Sequence, residues 1–298
     1  MSISEILKKN KPDITASSLK TYISILNSIY KKMGGDKEPD IDFFISKQDE
    51  IIDYLKDIPY NTRKTKLASL VSLCFHNQKC ADKYRKIMIE DINKYNDQQK
   101  TQVPTEKEKK NWVSQEELKR VYNNLYKDAY HLFNRDNLTK NELMRLQNLV
   151  TLSLYTLIPP RRLLDYTLMK LRNYDESKDN YMGKKKFFFN NYKTDKSYGK
   201  QTIDINTKLY NIIKKWEKKH NNDYLLFSDN GKPLQPSQLT LRLNKLFGKR
   251  VSVNALRHSF ITEDVLEAMP EIRKLEKTAR EMGHSLDSQI LYKKILQD

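Results

Sequence analysis

The sequence predicts a mainly α protein of the α+β class, built in two parts, and three observations predict it. Apolar residues recur at helical spacing through most of the 298 positions. The alternation that a strand needs is confined to one central region, around residues 187–205. Residues 96–111, NDQQKTQVPTEKEKKN, carry almost no apolar side chain and have the composition of a tether. The expected layout is a helical domain over 1–95, a linker over 96–111, and a mostly helical domain with a small antiparallel sheet over 112–298.

The elements follow in order. Thr15 to Ser18 offers caps, and Leu19, Tyr22, Ile23, Leu26 and Ile29 then line one helical face that Gly34-Gly35 ends. Phe43, Phe44, Ile51, Ile52, Tyr54 and Leu55 form a second apolar set, closed by Pro59. A third helix starts near Asn61 and turns Leu67, Leu70, Val71 and Cys74 inward. Its opening turn gathers cations and hydroxyls. Arg63, Lys64 and Lys66 are therefore candidate phosphate contacts, a reading held level with that of a merely solvated face. In the second part, Ser114/Glu117 and Thr139/Glu142 have capping-box spacing ahead of apolar runs. Pro159-Pro160 stops the second of these helices. Phe187-Phe188-Phe189 begins an extended stretch, Ser197-Tyr198-Gly199 supplies a turn, and residues 202–205 alternate faces. Leu209, Ile212, Ile213 and Trp216 resume a helix, as do Leu239, Leu243, Leu246 and Phe247, and residues 254–296 are helical except around Gly283.

Composition narrows the function. Lys plus Arg number 55 against 38 acidic residues, a formal net charge of +17. That surplus suits a polyanion, because neutralising phosphates releases counterions and drives association. Two cysteines, Cys74 and Cys80, offer no disulfide framework and point to a reducing, intracellular setting. With His76 they make three ligands where structural zinc takes four, so no metal is expected. No leader-like or bilayer-length apolar run is present. Seven glycines, and neither phosphate-loop pattern, disfavour nucleotide-driven chemistry, so no cofactor is expected.

Five features of the second part come in a telling order. Pro159-Pro160-Arg161-Arg162 leads to Asp165-Tyr166, Asn190-Asn191-Tyr192-Lys193-Thr194 places a lysine in the hairpin, and Asn254-Ala255-Leu256-Arg257-His258-Ser259 sets an arginine on a helix. Met282-Gly283-His284-Ser285 follows, with His284 27 residues beyond Arg257, and Tyr292 stands eight residues past His284. Singly these are weak signals; Arg162 alone would more often pair with Asp165, and Tyr292 is one of 18 tyrosines.

Jointly they resemble the tyrosine recombinase (integrase) family, over roughly residues 112–298 by motif. The Pro-Pro-Arg-Arg form looks more like integrases of large DNA viruses and mobile elements than like bacterial Xer enzymes. The resemblance implies site-specific cleavage and rejoining of double-stranded DNA through a covalent 3′-phosphotyrosine. The implied catalytic set is Arg162, Lys193, Asn254, Arg257, His284 and Tyr292, with Arg161 as a DNA contact and as the alternative first arginine. Arg162 is preferred because Asp165 then falls at the family's spacing. Asn254 stands where the family commonly has His, and an amide holds a phosphate oxygen without taking a proton. The resemblance also implies a DNA-dependent homo-oligomer, a tetramer in synapsis.

Chemistry asks for these residue types independently. Displacing a phosphodiester oxygen builds negative charge on the non-bridging oxygens, and a planar, permanently charged guanidinium binds two such oxygens at once. A phenol with a pKa near ~10 needs a positive field before it attacks. Three rivals remain: a type IB topoisomerase using the same constellation, a two-metal carboxylate nuclease, and a DNA-binding relative without activity. No acidic trio stands in apolar strands to favour the second.

Overall fold

The computed structural model describes residues 1–36, 38–101, 103–265 and 269–283. The chain divides into two compact units, Met1–Pro104 and Thr105–Asp298. No helix among the described residues is long and apolar enough to cross a membrane.

Among its described residues the first unit holds helices and no strand: α1 (Ile3–Asn10), α2 (Ala16–Lys32), α3 (Ile41–Ser46), α4 (Gln48–Lys56), α5 (Tyr60–Leu73) and α6 (Gln78–Lys100). Ser2 and Glu5 cap α1 reciprocally, and Thr15 caps α2 by accepting from the Ser18 amide. Leu7, Leu26, Ile29, Phe44, Leu67 and Leu70 bury fully in one core. Buried polar side chains staple it. Asn10 donates to the Ser72 and Leu73 carbonyls at the end of α5, at 2.9 and 3.0 Å. Cys74, His76 and Cys80 do not share one helix. The chain turns between α5 and α6, Asn77 caps the new helix, and the two buried thiols face each other at 2.8 Å across the turn.

Arg63 has a structural occupation. Its Nε and Nη2 each meet an Asp91 carboxylate oxygen at 2.7 Å, and Nη1 donates to the Lys56 carbonyl at 3.0 Å. Asp91 is 1% exposed on its side chain, so it is a buried charge that depends on this one cation. Arg63→Ala is expected to destabilise the unit by about 3–5 kcal/mol, whereas the paired change Arg63→Met with Asp91→Leu costs far less. Denaturant midpoints of the whole chain check this; equal losses in the two variants would show that burial of the charge is not the cause.

The stretch expected as a linker is largely helical. The α6 helix runs on to Lys100, and α7 (Glu106–Lys110) follows with Thr105 and Glu108 in a capping box. Its polarity belongs to solvated helix faces, where Lys100 pairs with Asp97 and Lys109 with Glu106.

The second unit continues with α8 (Gln115–Ala129), a 3-10 turn (Tyr130–Asn134), α9 (Lys140–Thr156) and α10 (Leu163–Thr167). The sheet follows: β1 (Met169–Lys170), β2 (Asn180–Gly183), β3 (Lys186–Phe189), then α11 (Asp195–Tyr198) and β4 (Gln201–Asp204). Strand order is β1-β2-β3-β4, and the sheet is mixed, not antiparallel as expected. The two-residue β1 pairs parallel to β2 across a nine-residue connection, shorter than the usual parallel crossover, while β2/β3 and β3/β4 are antiparallel. Phe187 and Phe189 point into the core, and Phe188 stacks on Tyr181 across the other face. Helices α12 (Thr207–Glu217), α13 (Pro236–Phe247), α14 (Val253–Ser259), a π turn (Phe260–Asp264) and α15 (Met269–Glu281) complete the described chain. Trp216 is fully buried and donates to the Leu225 carbonyl at 2.8 Å.

His220 packs tilted against Trp216 and Phe227, and its Nδ1 accepts from the Asn222 amide. Burial, with the nearby Arg172 charge, pushes its pKa down from 6.5 to about 4. The unfolded chain therefore takes up a proton near pH 6.5 that the folded chain refuses until about pH 4. Stability is lost as pH falls through that window, by about 2–3 kcal/mol after allowing for the residue's partial exposure. His220→Phe is expected to flatten the dependence between pH 6.5 and 4, measured as melting temperature against pH; parallel curves for the two proteins would refute it.

Candidate active site

The second unit brings three arginines from two distant segments to one place. After the helix stop at Pro159-Pro160, Arg161 and Arg162 lead into α10, where Arg162 is the cap residue with extended backbone. Arg257 comes from the last turn of α14, whose first turn Ser252 caps through the Ala255 amide.

Arg161 is held on every side. Its Nε donates to Asp165 Oδ2 at 2.8 Å and its Nη1 to Gln201 Oε1 at 3.0 Å, and its guanidinium lies 3.9 Å over the Phe189 ring. Asp165 is 1% exposed, and its other oxygen has no hydrogen-bond partner among the described residues. Burial raises its pKa against the opposing pull of Arg161, Arg162 and Arg257. The carboxylate thus partners Arg161, four residues back, and not Arg162.

Arg162 and Arg257 have no carboxylate within ion-pair distance among the described residues. Arg162 is half-buried, and its one side-chain hydrogen bond among them is a long one, 3.4 Å, to the Thr194 hydroxyl. Arg257 is half-buried as well. Burial first, and then the fields of Arg162 and Arg161, hold its pKa below the ordinary arginine range, with Asp165 opposing them. Among the described residues, three guanidiniums against a single buried carboxylate leave a positive charge whose natural complement is an anion.

The loop carrying Lys193 is fastened to this cluster through Asn180, a residue that sequence reasoning missed. Asn180 is 1% exposed and uses its whole hydrogen-bonding capacity. Its Nδ2 donates to the carbonyls of Asp165 at 3.2 Å and Asn191 at 2.8 Å, and its Oδ1 accepts from the amides of Asn190 and Asn191 at 2.9 and 2.8 Å. Farther on, the Tyr192 hydroxyl donates to the Gly199 carbonyl at 2.6 Å. Lys193 is exposed between anchored Tyr192 and Thr194, the residue that meets Arg162. Asn180 opens β2, a strand the sequence does not show, so no local signal marks it.

The α14 helix is positioned by its own contacts. Ser259 is buried and accepts from Gln115 Nε2 at 2.9 Å, and Glu263 receives Trp112 Nε1 at 2.9 Å and the Gln115 amide at 2.7 Å. The start of α8 thereby fixes the segment just beyond Arg257. Asn254 is exposed one turn before Arg257 on the same helix. His284 and Tyr292 lie outside the described residues. Arg63, Lys64 and Lys66 belong to the first unit; Lys64 sits over the Tyr95 ring and Lys66 is half-exposed.

No protein-family model and no curated protein matches the chain. Among solved structures it is similar to a XerA recombinase, with a TM-score of 0.37 and 12% identity over 99% of this chain and 94% of that one. A likeness that loose carries no argument about function.

Proposed function

We propose that the chain is a DNA strand transferase of the tyrosine recombinase kind, which cuts and rejoins duplex DNA through a 3′-phosphotyrosine on Tyr292. The observation that carries this reading is the convergence of Arg162 and Arg257, half-buried and without carboxylate partners among the described residues, beside the loop that bears Lys193. Structural arginines are held as Arg161 is; a pair left without a counter-ion against like charge suits a phosphodiester, whose two non-bridging oxygens gain charge in the transition state. In this proposal Arg162 and Arg257 clamp those oxygens and Asn254 adds an amide donor. Lys193 protonates the leaving 5′ oxygen, and His284 tunes the phosphate or the phenol. The bond energy stays in the phosphotyrosine, so rejoining needs no nucleotide. The finer expectations, an integrase of a virus or mobile element that acts inside the cell as a DNA-assembled tetramer, form part of the same proposal.

The deciding experiment offers the full chain a nicked suicide duplex with a chelator present and runs a denaturing gel. A band of protein covalently attached to the 3′ side of the break is the expected result. Cleavage that leaves free ends and vanishes with the chelator would replace this reading with a metal-dependent nuclease.

A further inference from the structure

We propose that the tip of the β2–β3 hairpin, Lys184-Lys185, is a built phosphate contact that grips the duplex beside the arginine cluster. The inference deepens the DNA-acting reading above and rests on it for its partner.

The turn itself is the first observation. Gly183 pairs with Lys186, leaving a two-residue loop in which Lys184 and Lys185 have φ of 46° and 60°. Positive φ at both central positions defines a type I′ turn, which is dominated by Asn and Gly because a side chain there meets its own backbone. The neighbouring glycine, Gly183, is not at a positive φ, so the flexible residue sits where it is not needed and two lysines occupy the strained positions. Local stability has been given up at this tip in favour of charge, a pattern expected at functional sites.

The second observation is how the tip is held. The Lys185 carbonyl accepts from the Ile205 amide at 2.9 Å, so the end of β4 fixes the strained backbone. Both lysines are exposed, and neither has a carboxylate within ion-pair distance among the described residues, whereas the next residue, Lys186, faces Asp204 at 3.3 Å. The Lys185 ammonium lies 5.9 Å from the centre of the Tyr210 ring, and the held backbone presents two exposed lysines side by side.

The third is its place. From Lys185, β3 runs four residues to Phe189, whose ring lies under Arg161. At about 3.3 Å per residue that is roughly 13 Å. A duplex rises about 3.4 Å per base pair. With a phosphodiester in the arginine cluster, a tip at that distance lies within the reach of backbone on the same duplex.

The test replaces the pair by the residues such a turn prefers, Lys184→Asn with Lys185→Gly, in the full chain. Relief of strain is expected to raise the melting temperature by a few degrees. Duplex binding is expected to weaken by roughly tenfold near physiological salt, and the slope of log affinity against log salt to become shallower by up to about two. Lys127→Gln with Lys140→Gln removes the same charge from exposed positions elsewhere in the unit and should leave the slope nearly unchanged. A raised melting temperature with unaltered slope, or equal weakening in both pairs of variants, would overturn the contact. Adduct formation separates the two ideas. Normal adducts with an unaltered slope sink the hairpin contact alone, and a shifted slope in a chain that never forms adducts sinks the recombinase reading alone. If the unmodified chain does not bind duplex DNA, both fail.

Discussion

Tyr292→Phe is expected to abolish covalent protein–DNA adducts while leaving duplex binding nearly intact. The substitution removes one hydroxyl, which contributes nothing to the electrostatic term that dominates binding by a chain of net charge +17. Without that oxygen position 292 can form no phosphotyrosine, so adducts should fall below detection. The competitors differ sharply. Tyr166 is fully buried, in edge contact with Tyr155 and Phe187, and burial raises its phenol well above the ordinary tyrosine range. It cannot reach a scissile phosphate without unfolding the core. Tyr198, at the end of α11, is 70% exposed and remains free to compete. Adducts that persist in Tyr292→Phe and disappear in Tyr198→Phe would move the nucleophile to the β3–β4 connection.

The helices were largely legible because their apolar spacing and caps are local signals. The Thr139 box at the head of α9, the Thr15 cap of α2 and the Leu209–Trp216 face of α12 all stand where the sequence put them. The parallel pair β1/β2 was not legible. Met169-Lys170 is too short to show alternation, and Asn180-Tyr181-Met182-Gly183 opens with a residue that strands usually avoid. Its asparagine is there to staple the Lys193 loop, so tertiary hydrogen bonding overrides local preference. The helices within the tether were not legible for a related reason, since low apolar content describes a solvated helix as well as a coil; the division between the two units falls inside it, after Pro104. At the site, residue types and order pointed to the arginines, but no sequence pattern states which of two adjacent arginines takes the carboxylate. Arg161 takes it because extended backbone at Arg162 opens α10 and puts Asp165 within reach of the arginine four residues back. The same uncertainty covered Arg63, whose partner Asp91 lies 28 positions away on another helix.

That assignment makes the arginines separable by experiment, and the expected effects are large and opposite in kind. Arg162→Lys and Arg257→Lys should each lower cleavage by about 10²–10³, the usual loss when one transition-state donor is removed. A lysine keeps the charge but cannot present the two-pronged fork. Neither change should lower stability, because neither guanidinium has a buried counter-ion among the described residues to abandon. Arg257→Gln should be stability-neutral or better, since it removes a half-buried cation that Arg162 and Arg161 repel. Arg161→Gln behaves differently. It leaves Asp165, 1% exposed, without the cation that holds it, at a cost of about 3–5 kcal/mol if the carboxylate stays charged. Melting curves and single-turnover cleavage, measured side by side, make the comparison. A fully folded Arg161→Lys with no cleavage, beside an Arg162→Lys that cleaves almost normally, would transfer the phosphate-binding role to Arg161 and leave Arg162 as the cap of α10.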